Sequence, residues 1–311
     1  MGRHEQIAPA KRMKILISGA SGLVGGALVR PLRADGHAVA RLVRPGGTAA
    51  DGDVRWDPGA ARIDAAAMEG VDAVVHLSGA SIADGRWTTA RKAELRSSRV
   101  DSTRVLVGAI ARMRKKPRVL VCASATGYYG DRGDEVLTEA SEPGTDYLAL
   151  LARDWEAEAM RASAAGIRTV MLRFGLILDA KGGALPKMLL PFRLGVGGRI
   201  GSGRQWMPWI ALEDATGVAR TAIADERWEG PVNTVAPNPV TNSEFTRIVA
   251  RVLRRPAIFR LPAFAFHAML GEMAQPLLLA STRAVPEKLI KMGYAFRLPE
   301  LEPALRAILA K

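Results

Sequence analysis

The first chemistry that residue type and spacing suggest lies near the start of the chain. Gly19-Ala20-Ser21-Gly22-Leu23-Val24-Gly25 is a G-x-x-G-x-x-G run, directly after the apolar stretch at 13–18 (MKILIS) and opening a helical pattern over 24–34. Glycine at such a turn lets the backbone bend and come close to a ligand. The third glycine lets the helix pack near the sheet, and the helix N-terminus favours a pyrophosphate. Glycine runs occur in many turns, so the specificity here comes from the context, the first strand-to-helix turn. The end of the next strand, at 38–43, selects the nucleotide. An acidic side chain there would bond the ribose 2′-hydroxyl of NAD, but the chain has Val43-Arg44-Pro45, with Arg41 inside the strand. A guanidinium there pairs with a 2′-phosphate, so NADP(H) is the expected cofactor.

The elements that must position this turn follow from the hydrophobic pattern. Apolar runs at 13–18, 38–43, 54–56, 73–77 and 118–123 read as strands. They alternate with helical patterns at 24–34 and about 88–113, and this alternation predicts a parallel sheet covered on both faces. A helix over about 146–165 leads to a further strand at 169–174, and the Gly- and Pro-containing stretch 181–208 reads as loops. Segment 240–311 shows short helices, among them SEFTRIVARVL and LEPALRAIL, and few strand signals. The expected fold is α/β: a Rossmann-type doubly wound parallel sheet with a smaller, mainly helical C-terminal lobe. Residues 1–12 are expected to be a flexible N-terminal extension. The range 13–180 is expected to be the NADP-binding core, to which later segments return, and 181–311 the substrate-side loops and C-terminal lobe.

ISGASGLVG, DAVVHLSGA at 72–80 and VLVCASATGYYG together resemble the extended and atypical short-chain dehydrogenases/reductases. GSGRQWMPWI at 201–210, GPVNTVAPNPVTNSEF at 230–245 and VPEKLIKMGYAFRLPEL at 285–301 are similar to the sugar-nucleotide-epimerase-like branch, an epimerase family of NADP-dependent oxidoreductases. The resemblance covers nearly all of 13–310. It implies that Leu77, Ser78 and Gly79 line the cofactor's ribose and pyrophosphate. It further implies that Glu94 and Arg99 lie near the cofactor, that Ile177 lies near the nicotinamide end, and that a homodimer is the assembly to test.

Reductases of this fold usually use a Ser, a Tyr and a Lys four residues after the Tyr on one helix face. The lysine lowers the phenol's pKa so that it can exchange a proton with the substrate oxygen. None of the four tyrosines fits. Tyr147 has Leu151 at +4, Tyr129 has Gly133 and Tyr294 has Leu298, while Tyr128 has Arg132 but stands in a glycine-rich loop. The Tyr-x-x-x-Lys pair is absent, as it is in the atypical branch. Ser124, Thr126 and Tyr128 remain as the expected catalytic hydroxyls, with Ser124 the first choice to orient the substrate; which of Ser124, Ala125 and Thr126 aligns with the usual serine depends on one gap. Arg173, Lys187, Gln205, Trp206 and Trp209 form the expected substrate lining. Trp87 either packs over the cofactor or caps the core.

The 311 residues are 48% hydrophobic and 24% charged, an ordinary globular composition. No run of 18 uncharged apolar residues appears, which argues against a membrane helix. The first dozen residues lack the apolar segment of a secretory signal. The single cysteine, Cys122, excludes an internal disulfide, and four scattered histidines lack metal-ligand spacing, so no metal is expected. The formal net charge of +13 is spread along the chain, densest in ARMRKKPR at 111–118, with no nucleic-acid-binding signature beside it. The expectation is a cytoplasmic NADP(H)-dependent oxidoreductase or epimerase-like enzyme acting on a small carbonyl or sugar-like molecule, with neither nucleic acid nor membrane as partner. The alternative is a non-catalytic NADP(H)-binding sensor or protein-interaction module, which the missing pair favours.

Overall fold

The computed structural model describes residues 12–310, so the expected N-terminal extension lies, Arg12 apart, outside the described residues. The main sheet holds eight strands: β1 (Lys14–Ser18), β2 (Ala38–Val43), β3 (Val54–Asp57), β4 (Arg62–Ile63), β5 (Ala73–His76), β6 (Val119–Ala125), β7 (Arg168–Phe174) and β8 (Gly230–Thr234). Their order across the sheet is β8-β7-β6-β5-β1-β2-β3-β4, and every neighbouring pair is parallel except β3 with β4. Helices α1 (Leu23–Ala34), α2 (Thr89–Arg96), α3 (Ser102–Ala111) and α4 (Tyr147–Ala164) serve as crossovers. Because helices cover both faces, the central strands are buried along their length and read as continuous apolar runs, not alternating ones. The chain leaves β1 toward β2 and returns on the other side at β5. The sheet therefore has its switch point between β1 and β5, where a crevice opens beyond the strand carboxyl ends.

Two stretches differ from the sequence reading. Residues 181–208 are not loop throughout: they contain α5 (Leu185–Arg193), with Pro186 in its first turn, and a short strand Gly198–Ile200. Proline is at home in a first helical turn, so Pro186 marks a helix start there. The expected helix at 88–113 is interrupted by a π-helical segment, Ser97–Asp101, a widened turn of the kind often found at functional sites. Later segments return to the core: α6 (Leu212–Ala224) packs against α1, and β8 closes one sheet edge. The C-terminal lobe contains α7 (Asn242–Leu253), α8 (Ala263–Leu270), a closing helix Leu301–Leu309 and the strand Phe259–Leu261, which pairs with Gly198–Ile200. A second core of Trp209, Phe245, Val249, Leu301 and Leu305 fastens it.

A wholly buried polar chain ties β1, β5 and α3 together at the switch point. The Leu77 amide donates to Ser18 Oγ (3.1 Å), and Ser18 Oγ lies 2.6 Å from His76 Nδ1. His76 Nε2 lies 2.9 Å from Thr103 Oγ1, which donates to the Arg99 carbonyl (2.6 Å) and accepts from Trp155 Nε1 (2.9 Å). With Thr103's proton committed to Arg99, His76 donates from Nε2 and accepts at Nδ1, the arrangement of a neutral ring. Burial lowers its pKa from 6.5 to about 4. The unfolded chain therefore takes up a proton that the fold excludes, and stability falls as pH drops from about 6.5 to about 4. We expect a loss of roughly 3 kcal/mol across that window. Urea titrations at several pH values should show the slope, and His76→Gln should make it shallower.

Candidate active site

The glycine turn sits between β1 and α1 as the spacing requires. Gly19 has φ of +69°, and a Cβ there would stand 2.7 Å from the Leu77 carbonyl carbon and oxygen. A Cβ on Gly25 would fall 2.3 Å from the Gly19 carbonyl oxygen. These contacts hold the start of the turn against the 77–79 loop; Ala20 and Val24 pack partly buried against the core, Leu23 is half-buried, and Ser21 and Gly22 are exposed. Gly22 caps α1 with no side-chain hydrogen bond, and the first turn carries no acidic residue, so the helix N-terminus keeps its free amides and positive end. Gly182 and Gly183 close against Leu23, where a Cβ would meet its methyls at 2.8 and 2.9 Å. This lays the start of the 181–208 stretch over the turn.

At the end of β2, Val43 is half-buried and Arg44 exposed, with no partner among the described residues. Arg41, in contrast, is tied to Asp53 by a 2.5 Å ion pair, so Arg44 is the cation this strand leaves for a ligand. Arg99 stands in the π-helical segment and is buried. Its guanidinium donates to the Ala80 carbonyl (2.9 Å) and the Leu95 carbonyl (3.3 Å), stacks on Trp155, and packs against Gly79. It has no carboxylate partner among the described residues, and burial pulls its pKa down to about 10. A buried cation held only by neutral groups, under a loop facing a phosphate-type turn, fits an anion. The turn, the uncapped helix and Arg99 together fit a dinucleotide's phosphates. Glu94 is exposed and pairs with Arg91 (2.5 Å), while Ile177 is half-buried in the strand Leu176–Leu178.

The expected catalytic hydroxyls separate. Ser124 is buried and donates to Glu156 (2.5 Å), and Thr126 is buried and donates to the Phe174 carbonyl (3.4 Å). Both hydroxyls hold the protein together, which corrects the reading of Ser124 and Thr126 as substrate-facing groups. Tyr128 is half-buried and its hydroxyl donates to no protein acceptor among the described residues. The Arg173 guanidinium lies 3.6 Å from the centre of its ring. Burial raises the Tyr128 pKa while Arg173 opposes the rise, so the phenol stays protonated at neutral pH. Tyr147 instead donates to the Lys92 carbonyl (2.9 Å), with the Lys92 ammonium 5.0 Å from its ring centre.

The expected substrate lining is corrected in three places. Arg173 is not a lining residue: it is buried in a two-pronged ion pair with Glu156 (2.8 and 2.8 Å) and also donates to Tyr129 (2.9 Å). Trp209 is wholly buried and donates to the Asn238 carbonyl, and Gln205 bonds the Ile200 and Leu278 carbonyls inside the lobe. Trp206 bonds Asp134 under Arg283, and Lys187 is exposed near Asp84. Trp87 is buried against Tyr147, a core role.

The model of the NAD dependent epimerase/dehydratase family matches residues 15–233, and that of a domain of unknown function, DUF1731, matches 261–308. The chain belongs to the NAD dependent epimerase/dehydratase family. Epimerase family protein MT2273 of Mycobacterium tuberculosis is 43% identical over 282 residues, 91% of this chain and 93% of that protein. YfhF of Bacillus subtilis is 39% identical, covering 96% and 98%. Among solved structures, human SDR39U1 (isoform 2) with NADPH has a TM-score of 0.86 at 32% identity, covering 96% of this chain and 100% of that one. A nucleoside-diphosphate sugar epimerase from Corynebacterium glutamicum has a TM-score of 0.79 at 35% identity; it covers 96% of this chain, which spans 58% of that protein.

Within this epimerase family fold, the residue that sequence reasoning missed is Glu156. Its only signal is the Trp155-Glu156 pair on α4, and nothing local tells that it reaches Ser124 on β6 and Arg173 on β7. Burial works against the charge of Arg173, but its bonds to Glu156 and Tyr129 raise its pKa above the ordinary value. Removing one partner of a buried pair leaves the other uncompensated. We therefore expect Glu156→Gln to destabilise the fold by about 3–5 kcal/mol, read as a lower urea midpoint. Ser124→Ala should cost far less, since the ion pair survives it.

Proposed function

We propose that this chain is an NADP(H)-dependent oxidoreductase or epimerase-like enzyme acting on a small carbonyl or sugar-like substrate, with its cofactor in the crevice between β1 and β5. The observation that carries the reading is the buried, carboxylate-free Arg99 beneath the 77–79 loop, against whose first residues Gly19 of the glycine turn lies. The NADPH bound in human SDR39U1 supports the choice of cofactor. In this reading the turn amides and Arg99 bind the pyrophosphate, and Arg44 takes the 2′-phosphate. The 77–79 loop lines the ribose, and Ile177 lies toward the nicotinamide.

When bound, the reduced nicotinamide supplies a hydride to a carbonyl carbon. The chain must then orient the carbonyl, exclude water and provide the proton for its oxygen. Tyr128 is the group for the proton: it follows β6 at the sheet's carboxyl end, is kept protonated by burial, and has Arg173 against its ring to stabilise the phenolate that remains. Glu156 and Ser124 hold Arg173 in place from behind. This arrangement does the work of the absent lysine with a cation from β7.

Two measurements test the proposal. Fluorescence titration should show that Arg44→Asp weakens NADPH binding at least about tenfold and leaves NADH unchanged; equal NADPH affinity in the two proteins removes the role of Arg44. NADPH oxidation against a panel of aldehydes, ketones and nucleotide sugars should find a substrate, with Tyr128→Phe slowing its turnover by about a hundredfold at unchanged NADPH affinity. Tight NADPH binding with no oxidation across the panel would favour the sensor reading, to which the missing Tyr-x-x-x-Lys pair already points.

A further inference from the structure

The C-terminal lobe carries a second concave surface, whose lining shares no residue with the crevice. Between α7, the strand Gly198–Ile200 and the strand Phe259–Leu261 lies a cavity of about 330 Å³. Arg199, Arg247 and Arg260 line it, with the hydroxyl-bearing Ser243 and Thr246, and no carboxylate does. Among the described residues, none of the three guanidinium groups has an ion-pair partner or a hydrogen-bond acceptor. Several other exposed arginines are matched, among them Arg104 with Asp101 and Glu158, Arg220 with Asp35, and Arg297 with Glu213. The contrast holds within one helix, where Arg251, one turn beyond Arg247, pairs with Glu302 at 2.7 Å.

Three like charges around one cavity repel each other, and an anion entering it turns that repulsion into attraction. Guanidinium groups present forked donors that match phosphate oxygens, and the two hydroxyls add further donors at the same wall. Ile258, 80% exposed, and Phe259 add apolar surface to the lining. A phosphate on an organic body would meet both kinds of surface.

We propose that this cavity is a phosphate-binding site, taking either a free organic phosphate or the phosphate headgroup of an anionic lipid. The test uses the full chain, titrated with inorganic pyrophosphate and, separately, with phosphatidic acid vesicles. Each titration is run with and without NADPH, so that phosphate contacts in the crevice are distinguished. A triple variant, Arg199→Ala with Arg247→Ala and Arg260→Ala, is compared with a control triple on the opposite lobe, Arg30→Ala with Arg112→Ala and Arg114→Ala. The expected result is binding of at least one probe by wild type and control alike, weakened at least about tenfold in the cavity triple. Arg247→Glu alone, on the exposed side of α7, should weaken it as well. Pyrophosphate binding would identify a free phosphate as the source, and vesicle binding without pyrophosphate binding a lipid headgroup. Equal behaviour of the two triples would show only diffuse attraction to a basic surface and overturn the proposal, as would failure of both probes to bind wild type.

Discussion

The backbone of Gly19 lies directly against the carbonyl of Leu77, and the crevice exists because of that approach. Any side chain at position 19 would overlap the strand-end loop by more than van der Waals contact allows. The same contact sets where α1 begins, since Gly25 must then pass close to the Gly19 carbonyl. Beneath it, the Ser18–His76–Thr103 chain fixes the two strand ends from inside, with every donor and acceptor satisfied. It ends on the carbonyl of Arg99, so the element that carries the buried cation is anchored to the strand ends that carry the turn. Glycine turn, loop and buried cation are thereby joined through one set of buried hydrogen bonds and close contacts.

A second buried assembly stands behind the other half of the crevice. Glu156, Arg173, Ser124 and Tyr129 bond one another in the interior, while Tyr128, lying across the Arg173 guanidinium, is left half-exposed. Here Ser124, which looks catalytic by type, is bonded inside the protein to Glu156. The cost of burying the Arg173 charge is offset only while Glu156 is present, which makes the two inseparable.

Much of this was legible in the sequence. The glycine run, the alternating strands and the basic end of β2 are local patterns, and they carry the fold class, a doubly wound parallel sheet, and the expected cofactor, NADP(H). The expectation that Arg99 lies near the cofactor rests on resemblance alone, and no local feature shows that its guanidinium is buried. What stayed hidden depends on long-range pairing. Arg41 and Arg44 look equivalent until Asp53 is seen to take Arg41, and Trp209 looks like a pocket wall until the second core closes round it. The helix at 185–193 was masked by its flanking glycines and by Pro186 and Pro191 within it, which read as breakers although Pro186 stands in the first turn.

The most direct test is a crystal structure of the full chain grown with NADPH. The account predicts density in the β1–β5 crevice, with the pyrophosphate on the amides that open α1, Arg99 within hydrogen-bond reach of it, and the 2′-phosphate at Arg44. Dinucleotide density elsewhere, or a crevice dinucleotide whose phosphates leave Arg99 and Arg44 without contact, would contradict it.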